Sequence, residues 1–528
     1  MRDDPLPLHQ DAALSFTQRT LLLAMGVLTL MRWMLGAALD ITPEEALLVE
    51  WGRHPSLAGW EGGFGTALFP WISRFMFDGS FGVRFFAPLL AFLATAVLYR
   101  LIHSMAGEKE AAWSVTLLNL TPAFNHGAIY LRPEMAGGLF LLCGMACVWR
   151  ALRRASALDY HWLLAGAFFG IGGLCWPGVA IGPVTVLCIL LLSRRWRRQI
   201  FRPGPWLMLA DTALLWLPLW FWNHSHSMAG WHHFRESILA APAPLPAEPL
   251  LLCGKWALST GPFLFLIMLW ALLTGLRLWK REDAARFLTV AAGVPLAAAL
   301  LLSLYGGGRA SWITPALPFL CGIVPWAWER RITERLHRKL RLQWACVLPG
   351  LLITPLTLNT AILRTAGAAI PPARDPTTPW RGWPATTEEI KSRIAQAAAQ
   401  TGVDSHGASR LFAIASNEHL ASMLNYYLPR SLPLRWPSPA IPFVHLTESP
   451  SPSSSYHFWN GYSAPSGMNT FRTCTALYID DSSRGNPPPR ILQAFDSVRP
   501  VSVFDIMENG HLLRRIKIYS CINYRGLE

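Results

Sequence analysis

The stretch TPEEALLVEWGRH, residues 42–54, decides how the chain is organised because it follows directly on a run that can cross a membrane. Residues 21–38 are mostly apolar, and about 18 such residues are enough for a bilayer span. The stretch then opens with two adjacent carboxylates, Glu44 and Glu45. Acids at the exit from a membrane indicate a functional role if other loops on the same side repeat the pattern.

A structural role is the alternative for the same pair. Thr42 is suited to cap a helix, and Pro43 is suited to its first position. Both acids would then lie in the first turn, where the helix dipole favours negative charge. The stretch alone leaves the two roles equally open.

The composition is that of a membrane protein with a soluble part. Of the 528 residues, 52% are hydrophobic and only 15% charged, and the mean hydropathy is +0.29. The 25 tryptophans are typical of membrane interfaces. The net charge of +14 would suggest nucleic acid for a soluble protein, but here the bases lie in short loops between apolar runs. We therefore expect membrane lipids as partners and no nucleic acid.

About eleven apolar runs predict a polytopic helical membrane protein with about 11–13 transmembrane helices. The N-terminal residues 1–20 lack a small-residue cleavage site, so the first run is predicted to remain as a helix. After residues 21–38, the runs lie near residues 80–103, 111–129, 134–152, 160–176, 178–193, 205–222, 256–276, 286–305, 310–328 and 343–363.

The basic residues fall in alternate loops, which predicts the orientation. Arginine and lysine are dense near residues 109, 150–154, 194–202, 277–281 and 329–341, so this side is expected to be cytoplasmic. The loop at 40–79 and the tail are then external. These features predict a multi-pass membrane protein with the loop at 40–79 and the tail on the side away from the cytoplasm.

After Arg364 the sequence becomes polar and proline-rich, which predicts a membrane domain at 1–364 and a soluble periplasmic domain at 365–528. Residues 410–416 and 475–481 read as strands, with a helix over 417–429 between them. A further helix is expected with Thr386 or Thr387 as its cap. The tail is thus predicted to be a small α/β domain. Whether its two cysteines, Cys474 and Cys521, form a disulfide stays open.

The order of these features resembles the GT-C glycosyltransferases that use polyprenyl-phosphate-linked sugars, in particular bacterial relatives of the protein O-mannosyltransferases and of the lipid A aminoarabinose transferases. The stretch at 42–54 is similar to that family's Asp-Glu-Ala motif, with Glu44 and Glu45 in the acidic positions. WEGG resembles its Asp-His-Pro-Pro segment through Glu61, and RPEMAGG resembles the Pro-Asp opening of its fourth helix through Glu134.

The sequence departs from the family pattern at several of these positions. Glutamate replaces aspartate at positions 44, 61 and 134. Leu47 and Leu48 replace an aromatic pair, and residues 62–64 are Gly-Gly-Phe instead of His-Pro-Pro. A glutamate reaches one methylene further, so these carboxylates can act if the backbone is set back. A catalytically degenerate relative is the alternative.

The resemblance implies transfer of a sugar from a lipid phosphate to a lipid, glycan or protein acceptor, with neither a cofactor nor a metal. It also implies that the protein lies in a bacterial cytoplasmic (inner) membrane, with its site on the periplasmic side. The acceptor hydroxyl needs a base, and in-line attack would invert the anomeric centre. Glu44 is the first candidate for the base, Glu134 the second and Glu61 the third. Glu45 is expected to contact substrate.

The leaving phosphate needs cations on the external side. Arg132, Lys255 and Arg309 are the candidates, although each is also suited to contact lipid headgroups. The histidines between residues 224 and 233 lack a supporting acid and a fixed spacing, so no metal site is expected.

A transporter or flippase of lipid-linked saccharides is the alternative from another class. It would also need about a dozen helices, but its charges would lie nearer the middle of the bilayer. The predicted acids lie mostly at helix ends, which favours the transferase.

Overall fold

A computed structural model describes most of the chain. The described residues are 15–54, 64–154, 159–239, 241, 243–306, 308–331, 336–358, 360, 363, 370, 375, 377–402, 410–428, 431–432, 434, 444–445, 455–459, 471–482, 485–508 and 510–526.

The part before the tail is helical wherever regular structure is described. Its helices are α1 (Phe16–Ala38), α2 (Pro43–Arg53), α3 (Phe64–Ser73), α4 (Gly79–Arg84), α5 (Phe86–Ala106), α6 (Glu108–Leu120), α7 (Pro122–Ile129), α8 (Pro133–Arg154), α9 (Tyr160–Cys175), α10 (Ile181–Leu192), α11 (Pro203–Ser225), α12 (Ala229–Ile238), α13 (Glu248–Thr260), α14 (Pro262–Leu278), α15 (Asp283–Ser303), α16 (Leu317–Arg331) and α17 (Leu336–Leu358).

Several of these helices can cross a membrane. Within the described residues four stretches are long and apolar enough, and α13 with α14 makes a fifth if that bent pair counts as one span. Three shorter apolar helices accompany them. The prediction of about eleven spans thus stays a prediction. The four stretches are Phe16–Ala38, Gly79–Ala106, Pro133–Arg154 and Asp283–Ser303.

Two of the predicted runs are broken rather than continuous. The run at 256–276 bends by 112° between α13 and α14, where Gly261 has φ of 93° and Pro262 follows. The run at 111–129 divides into α6 and α7 at Thr121 and Pro122. Proline has no N–H to continue the preceding helix, so it begins a new one in both places.

The loops form two groups, as the alternation of charge predicts. The tail contacts three segments of the first group: the loop after α1, the chain just before α8 and the end of α11. On the other side the basic loops are joined to each other by ion pairs. The tail contacts are Asp40 with Gly382, His126 and Tyr130 with Trp380, and Trp222 with Phe458. The ion pairs are Lys109–Glu329, Arg195–Asp283 and Arg330–Glu282.

The tail contains a five-stranded sheet, so its α/β character is confirmed. The strand order is β2-β1-β3-β5-β4, with β1 parallel to both neighbours and β5 antiparallel to both of its own. The strands predicted at 410–416 and 475–481 are β1 and β3. The elements are α18 (Trp383–Thr401), β1 (Leu411–Ala415), α19 (Glu418–Tyr427), β2 (Val444–His445), β3 (Thr475–Asp480), α20 (Pro489–Ala494), β4 (Phe495–Glu508) and β5 (His511–Tyr524).

The predicted cap of α18 is wrong. The helix begins earlier, after Gly382, whose φ is 72°. Thr386 and Thr387 are buried inside the helix and donate their hydroxyls to the carbonyls of Gly382 and Trp383 at 2.7 and 2.9 Å. The Trp-Pro pair before them starts the helix because proline suits a first turn.

Cys474 and Cys521 are both buried, and among the described residues neither belongs to a disulfide. Burial raises the pKa of the Cys521 thiol to about 12. A protonated, enclosed thiol is a poor nucleophile, so the structure favours two inert thiols over a disulfide.

Glycines allow α9 and α11 to approach closely. A Cβ on Gly166 would lie 2.6 Å from the carbonyl oxygen of Met208, and one on Gly170 would be 2.5 Å from the side chain of Leu215. Small residues at such crossings are the usual means of packing helices in membranes.

We expect Gly166→Val to lower the midpoint of thermal unfolding in detergent, because the obstacle is backbone and overpacking costs about 1–3 kcal/mol. Gly293→Ala on α15 is the control, since a Cβ there meets nothing within 4 Å. Equal midpoints for the two variants would contradict the close packing of α9 and α11.

Candidate active site

The start of α2 is a capping box. Thr42 accepts the backbone N–H of Glu45 at 3.3 Å, and the Glu45 carboxylate accepts the N–H of Thr42 at 3.0 Å. Pro43 occupies the first position. Successive residues on a helix are about 100° apart, so Glu44 and Glu45 enter different surroundings.

Glu45 is completely buried and held from several directions. Arg84 donates Nε to its Oε1 at 2.8 Å and Nη2 to its Oε2 at 2.6 Å. The backbone N–H of Leu131 donates to Oε1 at 2.9 Å. A substrate could reach this carboxylate only by displacing these donors, so the geometry favours a positioning role over substrate contact.

Arg84 is equally enclosed and joins α2 to the end of α1. Its guanidinium also donates to the carbonyls of Gly36 and Leu39, both at 2.8 Å, and to that of Asp40 at 2.6 Å. The ring of Tyr130 lies 4.8 Å from its central carbon. Every side of the guanidinium therefore has a partner that fixes the first loop.

Glu44, in contrast, points outward. Its side chain is 46% exposed, and its carboxylate lies 3.7 Å from Nη2 of Arg132. Arg132 immediately precedes α8, whose first turn carries Glu134 as predicted. The structure thus brings Glu44 and Arg132 together, with the partly buried Glu134 two residues along the chain.

Lys255 and Arg309 lie at neighbouring elements. Lys255 donates Nζ to the carbonyl of Gly308 at 2.8 Å and so fixes the residue before Arg309. Arg309 is exposed. Burial lowers the pKa of His233 in α12, and the positive charge of the nearby Arg309 lowers it further. A Cβ on Gly138 of α8 would lie 3.1 Å from Thr314, which places the segment after Arg309 beside that helix.

Glu61 and the rest of WEGG lie outside the described residues. Among the described histidines of the loop at 224–233, His226 stacks on Trp222 and contacts Phe458. No group of three or more potential metal ligands is found within the described residues. His224 likewise stacks on an aromatic ring, that of Trp220.

The residues that attach the start and end of α2 to the tail were not predicted from the sequence. The Asp40 carboxylate accepts the N–H of Gly382 at 3.1 Å. His54 stacks on Trp459 with ring centroids 4.3 Å apart, and Arg53 donates Nη1 to the carbonyl of Asn425 at 3.4 Å. Arg32 and Arg84 were also missed, although an arginine within or beside an apolar run is a signal of a buried partner.

The fold matches solved structures over nearly the whole chain. The crystal structure of ArnT from Cupriavidus metallidurans bound to undecaprenyl phosphate has a TM-score of 0.61 and 14% identity, covering 96% of this chain and 98% of that one. Its apo state gives 0.58 and 14% over 95% and 98%. The archaeal oligosaccharyltransferase AglB from Archaeoglobus fulgidus, in complex with an inhibitory peptide and a dolichol-phosphate, gives 0.50 and 12% over 88% and 70%.

This chain therefore has the GT-C fold of multi-pass membrane glycosyltransferases, which confirms the predicted fold class and the resemblance. More particularly, residues 53–222 match the family of dolichyl-phosphate-mannose-protein mannosyltransferases. No curated protein sequence matches the chain significantly.

We expect Glu45→Gln to destabilise the protein by about 3–5 kcal/mol, because it leaves Arg84 buried without its counter-charge. Thermal and denaturant unfolding in detergent measure this effect. Glu44→Gln is the matched control, and its exposed position predicts a change within about 0.5 kcal/mol. If the two variants unfold alike, Glu45 is not the support of the loop.

The contact between His54 and Trp459 should weaken in acid. Burial, aided by Arg53, lowers the pKa of His54 from 6.5 to about 4. Between these values the unfolded chain binds a proton that the folded chain does not, so stability falls as the pH drops through this window. The midpoint of thermal unfolding should decline less between pH 7 and pH 5 in His54→Phe than in the unaltered protein. An identical decline in both proteins would exclude His54 as a cause.

Proposed function

We propose that this protein is an integral membrane glycosyltransferase that moves a sugar from a polyprenyl-phosphate-linked donor to an acceptor hydroxyl. The observation that carries the proposal is the exposed Glu44 carboxylate, 3.7 Å from Arg132, at the start of a rigidly held helix. The GT-C fold supports the proposal, because other proteins with this fold bind lipid phosphates. ArnT binds undecaprenyl phosphate, and AglB binds a dolichol-phosphate.

The reaction needs a base and a cationic site for the leaving group. The acceptor oxygen attacks the anomeric carbon and gives its proton to Glu44. The bond from that carbon to the phosphate oxygen breaks, and the lipid phosphate leaves with the electron pair. Attack from the face opposite the phosphate inverts the anomeric centre. Glu134 is the second acid, suited to orient the acceptor.

Three cations are available for the phosphate. Arg132 already lies beside the proposed base, and Arg309 is exposed at the start of a short helical turn. Lys255 orients the backbone before Arg309 through its bond to Gly308. Charge-assisted hydrogen bonds from such groups stabilise developing negative charge on an oxygen.

The substitution of glutamate for aspartate is compatible with this role. The adjacent Glu45 fixes the backbone of α2 through Arg84, so Glu44 starts from a defined position. We propose that the residues up to 364 form the transferase domain and that residues 365–528 form a periplasmic domain covering α2. Glu61 remains the third candidate acid.

The transporter alternative has one observation in its favour, the buried Arg32 within the span α1. Its guanidinium donates to Asn119 and Asn125 at 2.9 and 2.7 Å, on either side of the break between α6 and α7. These bonds hold three helices together, which is a structural use of the charge. The proposal of a transferase is therefore preferred.

We expect Glu44→Gln to lower turnover by roughly 10²–10⁴-fold while expression and unfolding stay nearly unchanged, because the amide keeps the shape but cannot accept the proton. Glu44→Asp should retain partial activity. The assay uses purified protein and a lipid-linked sugar that the unaltered protein transfers.

The donor and acceptor are identified first by mass spectrometry of envelope glycolipids and glycoproteins from cells with and without the protein. An unchanged profile in all of them would count against a transferase. Full activity in Glu44→Gln would instead transfer the role of base to Glu134.

A further inference from the structure

Two adjoining cavities lie at the end of the helices away from Glu44. The larger has a volume of about 500 Å³ and the smaller about 180 Å³, and both are lined by Arg100 of α5 and Arg150 of α8. Arg150 follows Glu134 on α8 by more than four turns, or about 24 Å along the axis. The cavities are therefore far from the candidate active site.

The charged side chains that line these cavities are positive. Their lining includes His103 as well as the two arginines, and it contains no acidic residue within the part of the chain that the structure describes. Neighbouring cations on α8 do have partners, since Arg153 donates to the Ser104 carbonyl at 3.1 Å and Arg154 lies 4.0 Å from Asp159.

Arg100 and Arg150 have neither an ion pair nor a hydrogen bond to any described residue. Both are exposed, so a ligand can reach them. Two arginines without acids, directed at one space from different helices, are suited to a phosphate, whose oxygens match the guanidinium fork.

The rest of the larger cavity is mostly apolar. Leu21, Leu22 and Met25 of α1 face Phe92 and Ala96 of α5 across it. Helix α1 lies at the periphery, with only 17% of its apolar stretch buried. A hydrocarbon chain can thus enter from the membrane and lie below α1. The volume is within the range of about 300–1,000 Å³ that is usual for small-molecule sites.

We propose that Arg100 and Arg150 bind the phosphate of an anionic membrane lipid, with one hydrocarbon chain between α1 and α5. This site is separate from the proposed donor site, because it lies among the basic loops on the other side of the protein. The assignment does not depend on glycosyl transfer.

Native mass spectrometry of the purified full-length protein tests the site, using phosphatidic acid, phosphatidylcholine or inorganic phosphate as the probe. We expect retention of one phosphatidic acid and an increase in the unfolding midpoint. Arg100→Gln/Arg150→Gln should weaken this retention roughly tenfold or more, because the charge-assisted hydrogen bonds of both guanidinium groups to the phosphate are lost.

Arg153→Gln/Arg154→Gln is the matched control, because it removes the same charge nearby but should keep the lipid. Arg100→Lys/Arg150→Lys keeps the charge and should retain part of the affinity. Equal loss in the control pair, or equal retention of phosphatidylcholine, would overturn the proposal. Equal stabilisation by inorganic phosphate alone would overturn the lipid assignment.

Discussion

The buried ion pair between Glu45 and Arg84 holds the candidate active site in place. Removing two charges from water is costly, and their attraction offsets that cost only if the remaining donors and acceptors are satisfied. Here the capping box, the Leu131 N–H and three carbonyls complete the set. The pair thereby fixes α2 against the end of α1. It also determines that the carboxylate of the preceding residue, Glu44, points outward.

A helix fixed in this way can support a second layer. The tail covers α2 through α19, with stacking of His54 on Trp459 and a bond from Gly382 to Asp40. Each of these hydrogen bonds and ring contacts stabilises the packing of the tail only slightly. All of them, however, are made to the segment that the Glu45–Arg84 pair holds in place. The outcome is a helix between membrane and soluble parts that leaves Glu44 and Arg132 accessible. Such an arrangement is compatible with the proposed transfer of a sugar from a lipid-borne donor to an acceptor hydroxyl.

The charges on the two sides of the protein are organised differently. At the candidate active site an acid and a base lie within reach of each other, as Glu44 and Arg132 do. On the basic side many loops are joined by ion pairs, yet Arg100 and Arg150 face a space without acids. An unpaired cation at a membrane surface attracts anionic lipid. The cavity makes this general attraction specific, because it offers an apolar wall to the chain of the same molecule.

The membrane class, the α/β tail and the cap at Thr42 could be predicted from the sequence. These features follow from apolar runs, from the distribution of bases and from local helix chemistry, all of which act over a few residues. The sequence did not reveal the long β4–β5 hairpin, although Asn-Gly at 509–510 is a hairpin signal, and it placed the start of α18 too late. Only the tertiary structure decided which of two adjacent glutamates is buried, because Arg84 and Leu131 reach Glu45 from 39 and 86 positions away. Local sequence cannot distinguish neighbours whose partners are brought to them by the packing of other helices.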